Sequence, residues 1–192
     1  MTNAAEIVRT GRQGAGLSQS ELARRCDIPQ PSISRIESGD RSPNLALIDR
    51  LLAPAGQHVT AIPTRTPTVA EAAATIRGLI DSAAEVYVFR ALIQVADNLA
   101  EAEPALRVAL TVTPPAPTGS LGADAFLAAI VDYRLIGEGL PCPGWVDEPQ
   151  RTVTPHWLAS GLSQLADITR EGTPEPFLRR GVLIHETDLV SY

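Results

Sequence analysis

Leu17-Ser-Gln-Ser-Glu-Leu-Ala-Arg-Arg-Cys-Asp-Ile-Pro-Gln-Pro-Ser-Ile-Ser-Arg-Ile-Glu-Ser-Gly39 reads as two short helices joined by a tight turn. Ser18 and Glu21 have the S-x-x-E spacing of a capping box, which starts the first of these helices at Gln19. Leu22, Ala23 and Cys26 share its inner face. Asp27 stands where the chain must turn, and aspartate tolerates the left-handed conformation better than most residues. The following helix carries Ile33 and Ile36 inward and places Gln30, Pro31, Ser34 and Arg35 outward before Gly39 stops it.

The outward residue types have a specific chemistry. A glutamine amide can bond adenine N6 and N7, and an arginine fork can bond guanine O6 and N7. The first turns of such a helix are the part that reaches base edges in a major groove. Gln30, Ser34 and Arg35 are therefore the candidate base contacts. Gln19, Ser32, Arg41 and Asn44 are the candidate phosphate contacts, with Gln19 helped by the helix N-terminus at which it sits. The competing reading is an ordinary amphipathic hairpin with a solvated polar face. The coincidence of turn, caps and polar face favours DNA.

The same residues resemble the Cro/repressor-type helix-turn-helix domains of the XRE family. The likeness covers residues 4–62 and rests on L-S-Q-x-E-L-A, I-S-R-I-E-x-G and P-x-L-x-x-I. It implies a compact five-helix domain that binds a pseudo-palindromic double-stranded DNA operator as a homodimer. It also implies a structural ion pair between Arg12 and Glu37. The sequence departs from the pattern at Pro29, where a Ser or Thr N-cap is usual, and at Pro31, which has no N–H to offer a base. Gly11 and Gly14 weaken the first helix by ~1 kcal/mol each relative to alanine.

Charge divides along the chain. Among 192 residues every strongly basic side chain is arginine. Residues 1–66 hold eight Arg against six Asp and Glu, a net of +2. The rest holds eight against sixteen, a net of −8, giving −6 overall. So small a positive surplus implies few phosphate partners, and the acidic remainder is suited to something other than DNA. The expected organisation is a DNA-binding domain at 1–62, a Pro/Thr-rich linker at 63–67 and a mostly helical partner-binding or oligomerisation domain at 68–192.

The fold class expected is mainly α, with one or two short strands in the C-terminal domain. In the first domain helices are expected at 4–15, 19–25 and 30–38. A fourth, capped by Asn44, carries Leu45, Ile48, Leu51 and Leu52 inward, and a strand follows at 58–62. Capping boxes at Thr68/Glu71 and Ser82/Glu85 start helices at 69–81 and 83–102, the second burying Val86 and Phe89. Further helices are expected at 104–110, 122–136 (amphipathic) and 156–168, with a strand within 182–185. Trp145 and Trp157 are expected as core anchors.

No nucleophile elbow, phosphate loop or H-E-x-x-H spacing is present, so the chain is read as not an enzyme. His156, His185, Glu186, Asp188 and Asp132 are acid–base side chains without a motif. Two cysteines and three scattered histidines imply no metal, no disulfide and no cofactor. With no long apolar run and no signal pattern, no membrane is expected and the location expected is cytoplasmic. A second resemblance, in G-L-P-C-P-G-W-V-D-E-P at 139–149 and P-F-L-R-R-G-V-L-I at 176–184, is to the C-terminal region of actinobacterial antitoxins of the XRE type. It implies an autoregulating repressor that neutralises a cognate toxin, one of nucleotidyltransferase-like kind, with Trp145, Arg179 and Arg180 as partner contacts. The alternative is a stand-alone repressor that senses a small ligand through an apolar cavity among its 69–136 helices.

Overall fold

A computed structural model describes residues 4–159 and 166–189. It is mostly helical, and it divides between Pro63 and Thr64 into two compact units.

The N-terminal unit has four α-helices: α1 (Ala4–Gly14), α2 (Gln19–Cys26), α3 (Gln30–Glu37) and α4 (Leu45–Leu52). The fifth helical element is a single 3-10 turn, Ala53–Ala55, which ends at Gly56 in the left-handed region. The helices close over Val8, Leu17, Leu22, Cys26, Ile33, Ile36 and Leu51, a core without any aromatic ring. Two sequence expectations fail here. Leu45, which opens α4 directly after the Asn44 cap, is 65% exposed rather than inward. Residues 58–62 form no strand, having no extended neighbour to pair with.

The C-terminal unit is built around α8 (Leu121–Ile136). Gly122 through Asp132 are all buried, so this helix is enclosed on every side rather than amphipathic. Around it stand α5 (Val69–Asp81), α6 (Val88–Glu101), α7 (Pro104–Thr111) and α10 (Glu175–Leu178), with α9 (Ala166–Glu171) nearby in the chain. Two short strands, β1 (Trp157–Leu158) and β2 (Val182–Leu183), pair in parallel as Trp157 with Val182 and Leu158 with Leu183. Thr68 and Glu71 form their capping box at the start of α5.

Ser82 and Glu85 do not form theirs. The Ser82 hydroxyl donates back to the Gly78 and Leu79 carbonyls, and Ala83 at φ 55° ends α5. A 3-10 turn, Glu85–Tyr87, then precedes α6, and Val86 is 81% exposed. The helix expected at 156–168 is replaced by β1 at its start. Residues 160–165 of that expectation lie outside the described residues, and α9 covers its end.

Candidate nucleic-acid interface

The turn between α2 and α3 is shaped by its own residues. The Ser18 hydroxyl accepts from the Glu21 N–H at 3.1 Å, and the Ser18 N–H donates to the Glu21 carboxylate at 3.3 Å. Asp27 takes φ 50°, ψ 54°, the left-handed geometry that ends α2, and the Ile28 N–H closes on the Ala23 carbonyl. Pro29 opens α3 without a side-chain cap, and Pro31 follows in the first turn, where its missing N–H costs nothing. Ile33 and Ile36 are fully buried. α3 is thereby fixed against the core by one face, and the opposite face is left to solvent.

On that face Gln30, Pro31 and Arg35 are exposed, and Ser32 and Ser34 are half-buried. Arg24, Arg25, Arg35 and Arg41 have no ion-pair partner among the described residues, so their guanidinium groups remain available to an external anion. Arg41 is held close to α3 by its backbone N–H, which donates to the Arg35 carbonyl at 2.9 Å. The Asn44 Oδ1 is committed to capping α4 through the Leu47 N–H, which leaves the Asn44 amide nitrogen as its donor.

Behind the face lies a chain of polar contacts. Arg12 from α1 grips Glu37 with two parallel bonds, Nε to Oε1 at 2.6 Å and Nη2 to Oε2 at 2.9 Å, and its Nη1 donates to the Leu17 carbonyl. Glu37 is only 6% exposed. Burial works against its charge, but the bonds from Arg12 and Gln19 outweigh that and hold its pKa below the ordinary glutamate range. The Gln19 amide nitrogen donates to Glu37 Oε2 at 2.8 Å, and its oxygen accepts from Gln30 Nε2 at 2.9 Å. Sequence reasoning placed Gln19 outward toward phosphate. In the structure it is a half-buried bridge between the ion pair and Gln30. The contacts span 18 and 11 residues, and no local spacing signals them.

The C-terminal candidates lie elsewhere. Trp145 and Arg180, expected to face a partner, are buried and their polar groups are used inside the unit. The Trp145 indole N–H donates to the Thr111 carbonyl at 2.8 Å, and Arg151 stacks over its ring. Arg180, 3% exposed, donates to the buried Asp132 carboxylate at 2.5 Å and to the Val146 and Pro176 carbonyls. Arg179 bonds the same Asp132 and keeps an exposed flank. Glu186 accepts from the Tyr133 hydroxyl at 2.6 Å, and His185 Nδ1 sits 2.8 Å from the Thr187 hydroxyl. No group of three metal-ligating side chains occurs among the described residues. No described helix is long and apolar enough to cross a membrane.

Residues 8–56 match the family described as helix-turn-helix. The chain carries a helix-turn-helix domain. Over 56 residues it is 41% identical to an uncharacterized HTH-type transcriptional regulator of Haemophilus influenzae, covering 29% of this chain and 57% of that protein. The chain thus spans little more than half the length of the curated relative it matches. No solved structure matches it.

Proposed function

We propose that this chain is a sequence-specific DNA-binding transcriptional repressor of the XRE type. It inserts α3 into the major groove. The observation that carries the reading is the face of α3. Gln30 and Arg35 stand exposed on a helix whose other side is locked by Ile33, Ile36 and the Arg12–Glu37 pair. Ser34 stands beside them as a base contact. Ser32, Arg41 and the Asn44 amide nitrogen fix the register on the phosphates, together with Gln19 if it leaves its bridge.

The small positive surplus of residues 1–66 favours two copies on one pseudo-palindrome, because each copy releases few counterions. The test is a footprint and mobility-shift series on DNA from upstream of the chain's own coding region. A protected two-fold site is expected. Arg35→Ala should lose about 1–3 kcal/mol of affinity and relax one base position. No protected site on that DNA would end the reading.

The finer reading is an antitoxin that silences its own promoter through α3 and neutralises a toxin through its C-terminal unit. It rests on the sequence likeness of residues 139–149 and 176–184. Of the partner contacts first expected, Arg179 alone keeps an exposed flank to offer. Co-expression of the full chain with the product of the adjacent gene tests this reading. Rescue of growth and a stable complex support it, and their absence rejects it. A ligand-responsive repressor is the second reading, favoured by a cavity of about 640 Å³ in the C-terminal unit, within the size range of small-molecule sites.

A further inference from the structure

That cavity has a chemistry of its own. Ile80 at the end of α5, Val86 on the following turn, Phe89 on α6, and Trp157 and Leu158 on β1 give it apolar walls. Glu85 is the one charged side chain among its described lining residues, and no basic side chain is among them. Ser120 adds a hydroxyl at the start of α8. Its oxygen accepts from the Ala123 N–H, which leaves the hydroxyl proton to donate.

Trp157 is fixed where it stands. Its backbone N–H donates to the Gly181 carbonyl at 2.8 Å, and its indole lies against Gly122, where a Cβ would fall 2.3 Å from the ring. The ring therefore cannot swing toward α8. In the parallel pair the flanking N–H groups of Trp157 and Ala159 point to β2, so the Leu158 N–H and C=O point away from it. Val86 stands largely in solvent beside the cavity.

A carboxylate and an aromatic ring in one largely apolar cavity, with no basic side chain among its described lining residues, select a cation with an apolar body. A carboxylate attracts the charge. A tryptophan face attracts it again through the negative side of its ring. An anionic ligand would meet Glu85 uncompensated, and a large polar one would strand its hydrogen-bonding groups against Ile80 and Phe89. We propose that this cavity binds a small organic ammonium ion. The charged nitrogen sits between Glu85 and Trp157, and the hydrocarbon or aryl portion lies against Ile80, Val86 and Phe89. The site draws no residue from the DNA-binding unit, so it stands or falls independently of that reading.

The test uses the full chain labelled with ¹⁵N, in which the two tryptophans give two indole N–H signals, assigned through Trp157→Phe. The probes are 2-phenylethylammonium, the neutral 2-phenylethanol and the anionic 3-phenylpropionate. The ammonium should shift the Trp157 signal saturably and leave Trp145, whose N–H is engaged by Thr111, in place. It should bind about tenfold tighter than the carboxylate. Glu85→Gln changes an exposed side chain, so the unfolding temperature should be unchanged. It should weaken the ammonium about tenfold and leave the alcohol unaffected. The proposal is overturned if no probe shifts Trp157 saturably up to about 10 mM. Equal binding of all three probes, an unchanged affinity in Glu85→Gln, or a response at Trp145 instead would overturn it equally.

Discussion

An ionised carboxylate can only accept hydrogen bonds, and at Glu37 that property orders the side chains around it. Gln19 must turn its nitrogen toward Glu37, so its oxygen faces Gln30, and Gln30 must offer that oxygen an N–H. Gln30 is left with one N–H and its own oxygen, the pair that adenine N7 and N6 require. The buried ion pair is thus connected to the proposed base contact, Gln30, by two hydrogen bonds through the Gln19 amide. Gln19→Leu removes the middle of this chain. Its affinity loss should concentrate at the adenine position when measured against operators substituted one base at a time. A uniform loss across those operators would instead support Gln19 as a phosphate contact. The same carboxylate predicts a pH dependence. Its pKa in the folded chain lies below the ordinary value of 4.5, so its stabilisation is fully present above that value and is lost as pH falls through the folded pKa. Glu37→Gln should therefore be less stable by about 1–3 kcal/mol at neutral pH, and the difference should shrink in denaturant titrations below that ordinary value. The outward placement of Gln30 and Arg35 was legible from helical period alone. The Glu37–Gln19–Gln30 chain was not, because it is made by the start of α2 meeting both ends of α3 in space.

At the level of elements, signals confined to a few residues served well where nothing competed for the same atoms. The boxes at Ser18/Glu21 and Thr68/Glu71 are present because each serine or threonine precedes a helix with its hydroxyl uncommitted. Ser82 fails for the opposite reason: it ends a helix before it can begin one, and the carbonyls behind it take its proton. The mostly helical architecture and the strand at Val182–Leu183 follow from the periodic apolar residues, whereas β1 lies where a helix was expected. The full enclosure of α8 does not, since a periodic pattern tells which face is apolar and not how many neighbours surround it. Enclosure makes α8 intolerant of added volume. Gly122→Ala would place a Cβ 2.3 Å from the Trp157 ring, which is pinned by its strand backbone. A cost of about 1–3 kcal/mol is expected in thermal or urea unfolding, although alanine is the better helix former. A stability equal to or above that of the parent chain would show that Trp157 moves freely.

Across the whole molecule the aromatic residues divide as unevenly as the charges. Residues 1–63 contain no Trp, Tyr or Phe, whereas both tryptophans lie beyond residue 140. A core of Val, Leu and Ile around Cys26 suffices for a small helical unit whose helices carry caps and a bidentate ion pair. The larger unit uses Phe126 and Phe177, edge to face with centroids 5.2 Å apart, and the stacked Trp145 and Arg151 to fill a thicker interior. Tryptophan emission consequently reports the C-terminal unit alone, while far-ultraviolet circular dichroism reports helices in both. Gly122→Ala should lower the midpoint seen by emission. Glu37→Gln should lower an earlier part of the dichroism transition and leave the emission midpoint where it was. The two probes together decide whether the division at Pro63 is also a division of stability. If emission and dichroism coincide in the parent chain and in both variants, the units unfold as one, and a perturbation in one is felt throughout the other. Displacement of the curves by Glu37→Gln in dichroism only would mean that the N-terminal unit holds its shape by its own contacts.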